Sequence, residues 1–97
     1  GGWSRFSLLQ QLGNVGSEVS RALRWKDRDA NLFEQAMIRA LELLDLTIRD
    51  PRWKHRLKEL TRARELLCDA WLGGPQYRTD LAGLNRYFFY FALAARK

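Results

Sequence analysis

Residues 41–57 of the chain read LELLDLTIRDPRWKHRL, and this stretch decides the fold. The apolar residues before Asp50 recur at helical spacing. Pro51 cannot continue that helix, because it has no N–H and forces the residue before it out of the helical region. Proline does suit the first position of a new helix, with an aspartate in front of it as N-cap. The stretch therefore predicts two helices that meet at a sharp corner and fold back on each other.

Periodicity and capping signals predict four helices, at about residues 4–25, 32–48, 51–72 and 80–96. Ser4 is the expected N-cap of the first helix, and Asn31 with Glu34 resembles a capping box before the second. Gly73-Gly74-Pro75 ends the third helix, and Thr79 or Asp80 caps the fourth. A chain of 97 residues has room for one domain, and short connections make sequential helices antiparallel. We predict an all-α, up-and-down antiparallel four-helix bundle over residues 1–97.

Two of the predicted helices have unusual features. Leu43 and Leu46 widen the apolar arc of the second helix, so we expect this helix to be central in the bundle. Gly13 and Gly16 lie inside the first helix, where each costs about 0.5–1 kcal/mol relative to alanine. Two explanations are open: a neighbouring helix approaches closely at the glycines, which we favour, or the backbone opens there to contact a ligand.

Composition excludes several classes of protein. The longest uncharged apolar run, residues 87–95, is far shorter than the roughly 20 residues that span a bilayer, so we expect no membrane span. Cys68 is the only cysteine, which rules out an internal disulfide and favours a cytoplasmic location. A single histidine makes a zinc site improbable, and phosphate-binding glycine loops and nucleophile elbows are absent. We therefore expect no metal and no cofactor, and the sequence favours a non-enzymatic protein.

Charge is distributed unevenly along the chain. The formal net charge is +6, and residues 1–28, 29–50, 51–72 and 73–97 carry +3, −3, +3 and +3. One acidic segment therefore lies among three basic ones. A basic balance of this kind is compatible with an anionic partner and also with ordinary solubility.

Cations gather at the predicted start of the third helix, where acidic residues are usually preferred. The cluster comprises Arg49, Arg52, Lys54, His55 and Arg56. Cations added to the positive end of a helix dipole favour a seat for a phosphate or another anion. The alternative is that Glu42, Asp45 and Asp50 neutralise the cations in a surface ion-pair network.

The basic surface continues along the third helix. Lys54, Lys58 and Arg62 are four residues apart, which is a rise of roughly 6 Å per step and comparable to the spacing of phosphates along a strand. We predict an anion- or nucleic-acid-binding surface for RNA or DNA, formed by Arg49, Arg52, Lys54, Arg56, Lys58 and Arg62.

Residues 49–55, RDPRWKH, have an arginine, a polar residue, four others and a histidine. This resembles the motif of HEPN helical domains, many of which are ribonucleases of toxin–antitoxin and defence systems. The resemblance implies a metal-independent cleavage of RNA across a dimer. His55 would be the acid–base group, and Arg49 would stabilise the charge that develops on the phosphate.

A second resemblance covers nearly the whole chain. Residues 11–19, 41–53, 57–60 and 91–96 are similar to segments of a family of small uncharacterised prokaryotic helical proteins. This resemblance implies a prokaryotic soluble protein and carries no activity.

The fourth predicted helix is apolar nearly all round in its second half. Tyr87, Phe89 and Tyr90 lie off its core-facing side, so we expect a subunit interface there or a deeply inserted terminal helix. The leading hypothesis is thus a small basic binding module, homo-oligomeric, that binds nucleic acid or a protein partner through the corner at the third helix. The alternatives are the HEPN-like ribonuclease and a purely structural homo-oligomerisation module.

Overall fold

The computed structural model describes residues 2–72 and 81–95, without the side chains of Trp3, Ser4, Ala92 and Ala95. A 3-10 helix, Gly2–Arg5, precedes α1 (Leu8–Trp25) and α2 (Ala30–Arg49). A second 3-10 helix, Pro51–Arg56, leads into α3 (Leu57–Leu72), and α4 is Leu81–Ala95. Over these residues the fold is all-α, and the four α-helices that they form pack as an up-and-down bundle, as predicted. The predicted turn at residues 73–75 and the cap at Thr79 or Asp80 lie outside the described residues.

The caps of the first two helices differ from the prediction. The N-cap of α1 is Ser7 rather than the predicted Ser4. The hydroxyl of Ser7 accepts the N–H of Gln10, and the side chain of Gln10 accepts the N–H of Ser7 in return. This reciprocal capping box moves the start of α1 to Leu8. For α2 the cap is Asp29, whose carboxylate accepts two backbone N–H groups, so the predicted Asn31 box was wrong.

The corner is confirmed, but the helix that follows it begins more tightly than predicted. Asp50 is extended (φ −71°, ψ 116°) and caps the next segment, which has Pro51 at its start. The first six residues of that segment form a 3-10 helix, and Trp53 departs from helical geometry (φ −109°, ψ 21°). The predicted helix over 51–72 is therefore an α-helix only from Leu57 onward.

Helix α1 makes the most extensive contacts and packs on both α2 and α4. Helix α2 also contacts more than one neighbour, α1 and α3, but its predicted apolar arc is buried only as far as Leu43, because Leu46 is 39% exposed. Helix α3 packs on α2 and less extensively on α4. Gly16 explains the close approach of α4: a Cβ built on this residue would lie 2.7 Å from the Cβ of Phe88. The favoured explanation for the glycines is therefore confirmed at Gly16, because only a residue without a side chain lets the two backbones come this close.

The core is formed by one apolar side of each helix. Its fully buried members include Leu12, Val15, Val19, Met37, Leu44, Leu60, Leu67 and Phe88. Among the described residues no helix is long and apolar enough to cross a membrane.

Candidate functional site

The corner between α2 and α3 is held by a polar network that centres on Asp50. Its carboxylate accepts the backbone N–H of Arg52 at 3.1 Å and the Nη2 of the same arginine at 2.6 Å. The Asp50 side chain is only 8% exposed, whereas that of Arg52 is 43% exposed, so only the carboxylate side of the ion pair is shielded from solvent. The Arg52 guanidinium holds the pKa of the Asp50 carboxyl well below its usual range, chiefly through the side-chain hydrogen bond.

Gln11 of α1 connects this network to the bundle. It is fully buried, its Nε2 donates to Asp50 at 3.3 Å, and its Oε1 accepts the indole N–H of Trp53 at 3.2 Å. Arg52 also donates to the carbonyl of Phe6 at 2.9 Å and lies over the Trp53 ring at 5.0 Å. Sequence reasoning missed Gln11, although its position among the apolar residues of α1 was a signal, because a buried amide requires partners.

Of the three acidic residues that could neutralise the corner, Asp45 and Glu42 do not pair with its cations through their carboxylates. Asp45 pairs with Arg64 at 2.6 Å and so ties α2 to α3. This hydrogen bond raises the pKa of Arg64 further above its usual value. Glu42 is exposed and has no partner in residues 2–72 and 81–95. Only Asp50 lies at the corner itself, where the sequence predicted the binding of an external anion. Its carboxylate pairs there with Arg52.

The remaining predicted binding residues divide into paired and unpaired groups. Arg49 is exposed and donates through Nε to the carbonyl of Asp45 at 3.4 Å. Arg56 pairs with Glu59 at 2.9 Å, and Arg62 pairs with Glu65 at 3.4 Å.

Lys54, His55 and Lys58 are exposed, and within the described ranges they have no hydrogen-bond or ion-pair partner. We call these three residues the cationic edge. Lys54 and His55 belong to the 3-10 helix and Lys58 to the first turn of α3. The charges of the two lysines are available to solvent, because the nearby carboxylates of Asp50 and Glu59 pair with arginines.

The three residues predicted to form a subunit interface differ in their exposure to solvent. Tyr87 is half-buried, with its hydroxyl donating to Glu59 at 2.7 Å, so it joins α4 to α3. Burial first, and the carboxylate second, raise the pKa of the Tyr87 hydroxyl, while the same bond lowers the pKa of Glu59. Phe89 and Tyr90 face outward and are 55% and 72% exposed.

Leu93, which is 44% exposed, completes this outward side of α4. We call Phe89, Tyr90 and Leu93 the outer face. Residues three and four apart share a helix face, so the three side chains form one apolar patch. Leu93 was absent from the predicted interface, although its spacing from Phe89 and Tyr90 would have indicated it.

An apolar groove adjoins the outer face, between α3 and α4. Its volume is about 340 Å³, and it is lined by Glu59, Arg62, Ala63, Leu66, Leu84 and Tyr87. The Tyr87 ring makes edge-on contacts with Phe88 and Phe91, both with centroids 5.2 Å away. The ring is therefore fixed from two sides, and this wall of the groove is preformed.

Comparisons with known proteins return no match: no protein family, no curated protein and no solved structure is significantly similar to the chain. The two resemblances derived from the sequence therefore stay predictions. In the part of the chain that the structure describes, no group of three or more His, Cys, Asp or Glu side chains is placed to hold a metal ion.

Proposed function

We propose that this protein is a non-enzymatic binding module that self-associates through the outer face of α4 and offers its cationic edge to an anionic partner. One observation carries the proposal: three large apolar side chains of one helix remain substantially exposed. Contiguous apolar surface on a small protein is a common mark of an interaction site. Removing Phe89, Tyr90 and Leu93 from water would be favourable by about 25 cal/mol per Å² of apolar area.

Sedimentation or light scattering at micromolar concentrations tests self-association. We expect the parent protein to be a dimer or a higher oligomer and a Phe89→Glu variant to be a monomer, because a carboxylate cannot be buried unpaired in an apolar seam. Ile38→Glu is a matched control, since Ile38 is a 43% exposed apolar residue on α2. A monomeric parent would end the proposal.

The cationic edge favours a second property, the binding of a nucleic-acid backbone. Lys54 and Lys58 are free to contact phosphates, and the exposed Arg62–Glu65 pair is weak enough for a phosphate to replace its carboxylate. Arg52 is less suited to this role than sequence reasoning proposed, because its bonds to Asp50 and Phe6 would have to break. Such binding would be driven by backbone contacts and would fall steeply with salt.

Fluorescence anisotropy with a labelled RNA and a labelled DNA duplex tests this second property. Replacing Lys54 and Lys58 together by alanine should weaken binding and reduce the salt slope by about 2, since each lysine that neutralises a phosphate accounts for roughly one. The control replaces Lys26 and Arg39, two exposed cations elsewhere, and should leave the slope nearly unchanged. An affinity that stays constant between low and moderate salt would contradict backbone binding.

A further inference from the structure

The outer face and the α3–α4 groove form one continuous surface. Leu84, Tyr87 and Tyr90 follow each other at steps of three along α4, so each side chain adjoins the next. Leu84 is buried at the base of the groove, Tyr87 forms its wall, and Tyr90 projects beside it with 72% of its surface exposed. A projecting aromatic side chain and an apolar groove therefore lie side by side on the same molecule.

We propose that the partner at this surface is a second copy of the chain, in an antiparallel α4–α4 pair in which each Tyr90 enters the groove of the other copy. This inference rests on the self-association proposed above. In a two-fold interface, residue i contacts residue j of the partner and residue j contacts residue i in return. A surface that carries both a projecting side chain and a groove can bind an identical surface in this way.

The register follows from the positions of these residues. If the two-fold axis passes midway between Phe88 and Phe89, Tyr90 lies opposite the partner's Tyr87, which lines the groove. A parallel pair in register would instead place Tyr90 against the partner's Tyr90, and both grooves would stay empty.

The position of Arg86 favours the antiparallel orientation over the parallel one. Arg86 is the only charged residue of Leu81–Ala95, and it adjoins the outer face, three residues before Phe89 and four before Tyr90. In the antiparallel register the two Arg86 residues are separated by roughly 7–8 Å along the axis, at 1.5 Å of rise per residue. A parallel pair would hold them at the same level, where like charges repel.

The area that a stable interface buries indicates that the groove is covered as well as the outer face. The exposed parts of Phe89, Tyr90 and Leu93 amount to roughly 300–400 Å² per copy, judged from the area that large side chains bury. A stable interface buries about 800 Å² on each partner. The outer face alone falls short, so a stable pair must also cover the apolar walls of the groove.

Disulfide trapping tests the orientation. In a Cys68→Ser background, Gly83→Cys and Ala94→Cys place thiols at two partly exposed positions of α4 that face each other in the proposed register. We expect the mixture of the two variants to give disulfide-linked dimers and each variant alone to give almost none. Dimers that form readily within each variant, and not between variants, would establish the parallel pair and overturn the inference.

A second measurement does not depend on those replacements. Tyr90→Ala should weaken self-association by about tenfold or more, while Tyr90→Phe should retain it, because the ring fills the groove. Equal effects of the two replacements, with the fold intact by circular dichroism, would overturn the insertion of the ring. A parent that sediments as a monomer removes the proposed function itself, whereas a dimer with the wrong cross-links removes only this geometry.

The dependence of self-association on salt distinguishes an apolar seam from an ionic one. Two copies of formal charge +6 repel, so self-association should strengthen as salt screens the charge. Self-association that weakens with added salt would point to an ionic seam and contradict an apolar pair.

Discussion

The corner at Asp50 and the outer face of α4 were both expected to contact another molecule. In the structure, the corner makes contacts within the chain, whereas the outer face stays exposed. At the corner, Arg52 and Gln11 bind the Asp50 carboxylate, so much of the local charge is used inside the chain. On α4, Phe89 and Tyr90 stay exposed. A single hydrogen bond or ion pair within the chain can satisfy a charged group, whereas an apolar side chain on the outward side of a helix is covered only by another element or another molecule.

The largest expected effect separates the two sides of α4. Phe88 is fully buried against Gly16, so Phe88→Ala should lower the free energy of unfolding by about 3–5 kcal/mol. Phe89→Ala, one residue along, should change it by less than about 0.5 kcal/mol in the monomer. Urea unfolding at a concentration where both variants are monomeric measures the difference. Similar losses for both replacements would mean that the outer face is part of the core.

Gln11→Met tests whether the corner depends on its buried amide. The replacement keeps the size of the side chain but removes the acceptor of the Trp53 N–H and one of the donors to Asp50 Oδ2, which keeps its bonds to Arg52. We expect a loss of about 1–3 kcal/mol in the free energy of unfolding. Gln35→Met, at an exposed position of α2, should cost less than about 0.5 kcal/mol. An unchanged stability of the Gln11 variant would show that the network does not hold the corner.

The smallest effect concerns the charge of Asp50 alone. Asparagine retains the capping ability, so Asp50→Asn removes mainly the ion pair with Arg52. Because folding lowers the pKa of this carboxyl, its charge stabilises the protein above the ordinary pKa of about 4 and loses this effect as the pH falls further.

The stability difference between the parent and Asp50→Asn should therefore be constant near neutral pH and shrink below about pH 4. Unfolding at a series of pH values measures it. Glu59, whose pKa is also lowered, is present in both proteins and cancels in the comparison. A difference that grows with acidity would contradict the assigned ion pair.

Local signals predicted the fold well where one residue decides the geometry. Pro51 fixed the corner with Asp50 as its cap, because the missing N–H and the restricted backbone act on the nearest neighbours alone. The caps at Ser7 and Asp29 were missed because several acceptors lie within a few residues of each helix start, and only geometry selects among them.

The candidate site was harder to predict, because several of its contacts join residues that are far apart in sequence. Asp45 was one of the acids that could neutralise the corner, but it reaches Arg64 across the α2–α3 contact. The Gln11–Asp50 bond joins residues 39 positions apart, and no local pattern indicates it.

By itself, the sequence determined four amphipathic helices, the turn at Pro51 and an excess of positive charge, since each depends on residue type and on spacing of a few residues. Only the tertiary structure decided that α1 is central, that Asp50 engages Arg52, and that Lys54, His55 and Lys58 stay unpaired within the described residues while the outer face of α4 remains open. These outcomes depend on which helices approach each other, and that is set by packing between distant parts of the chain, such as Gly16 against Phe88.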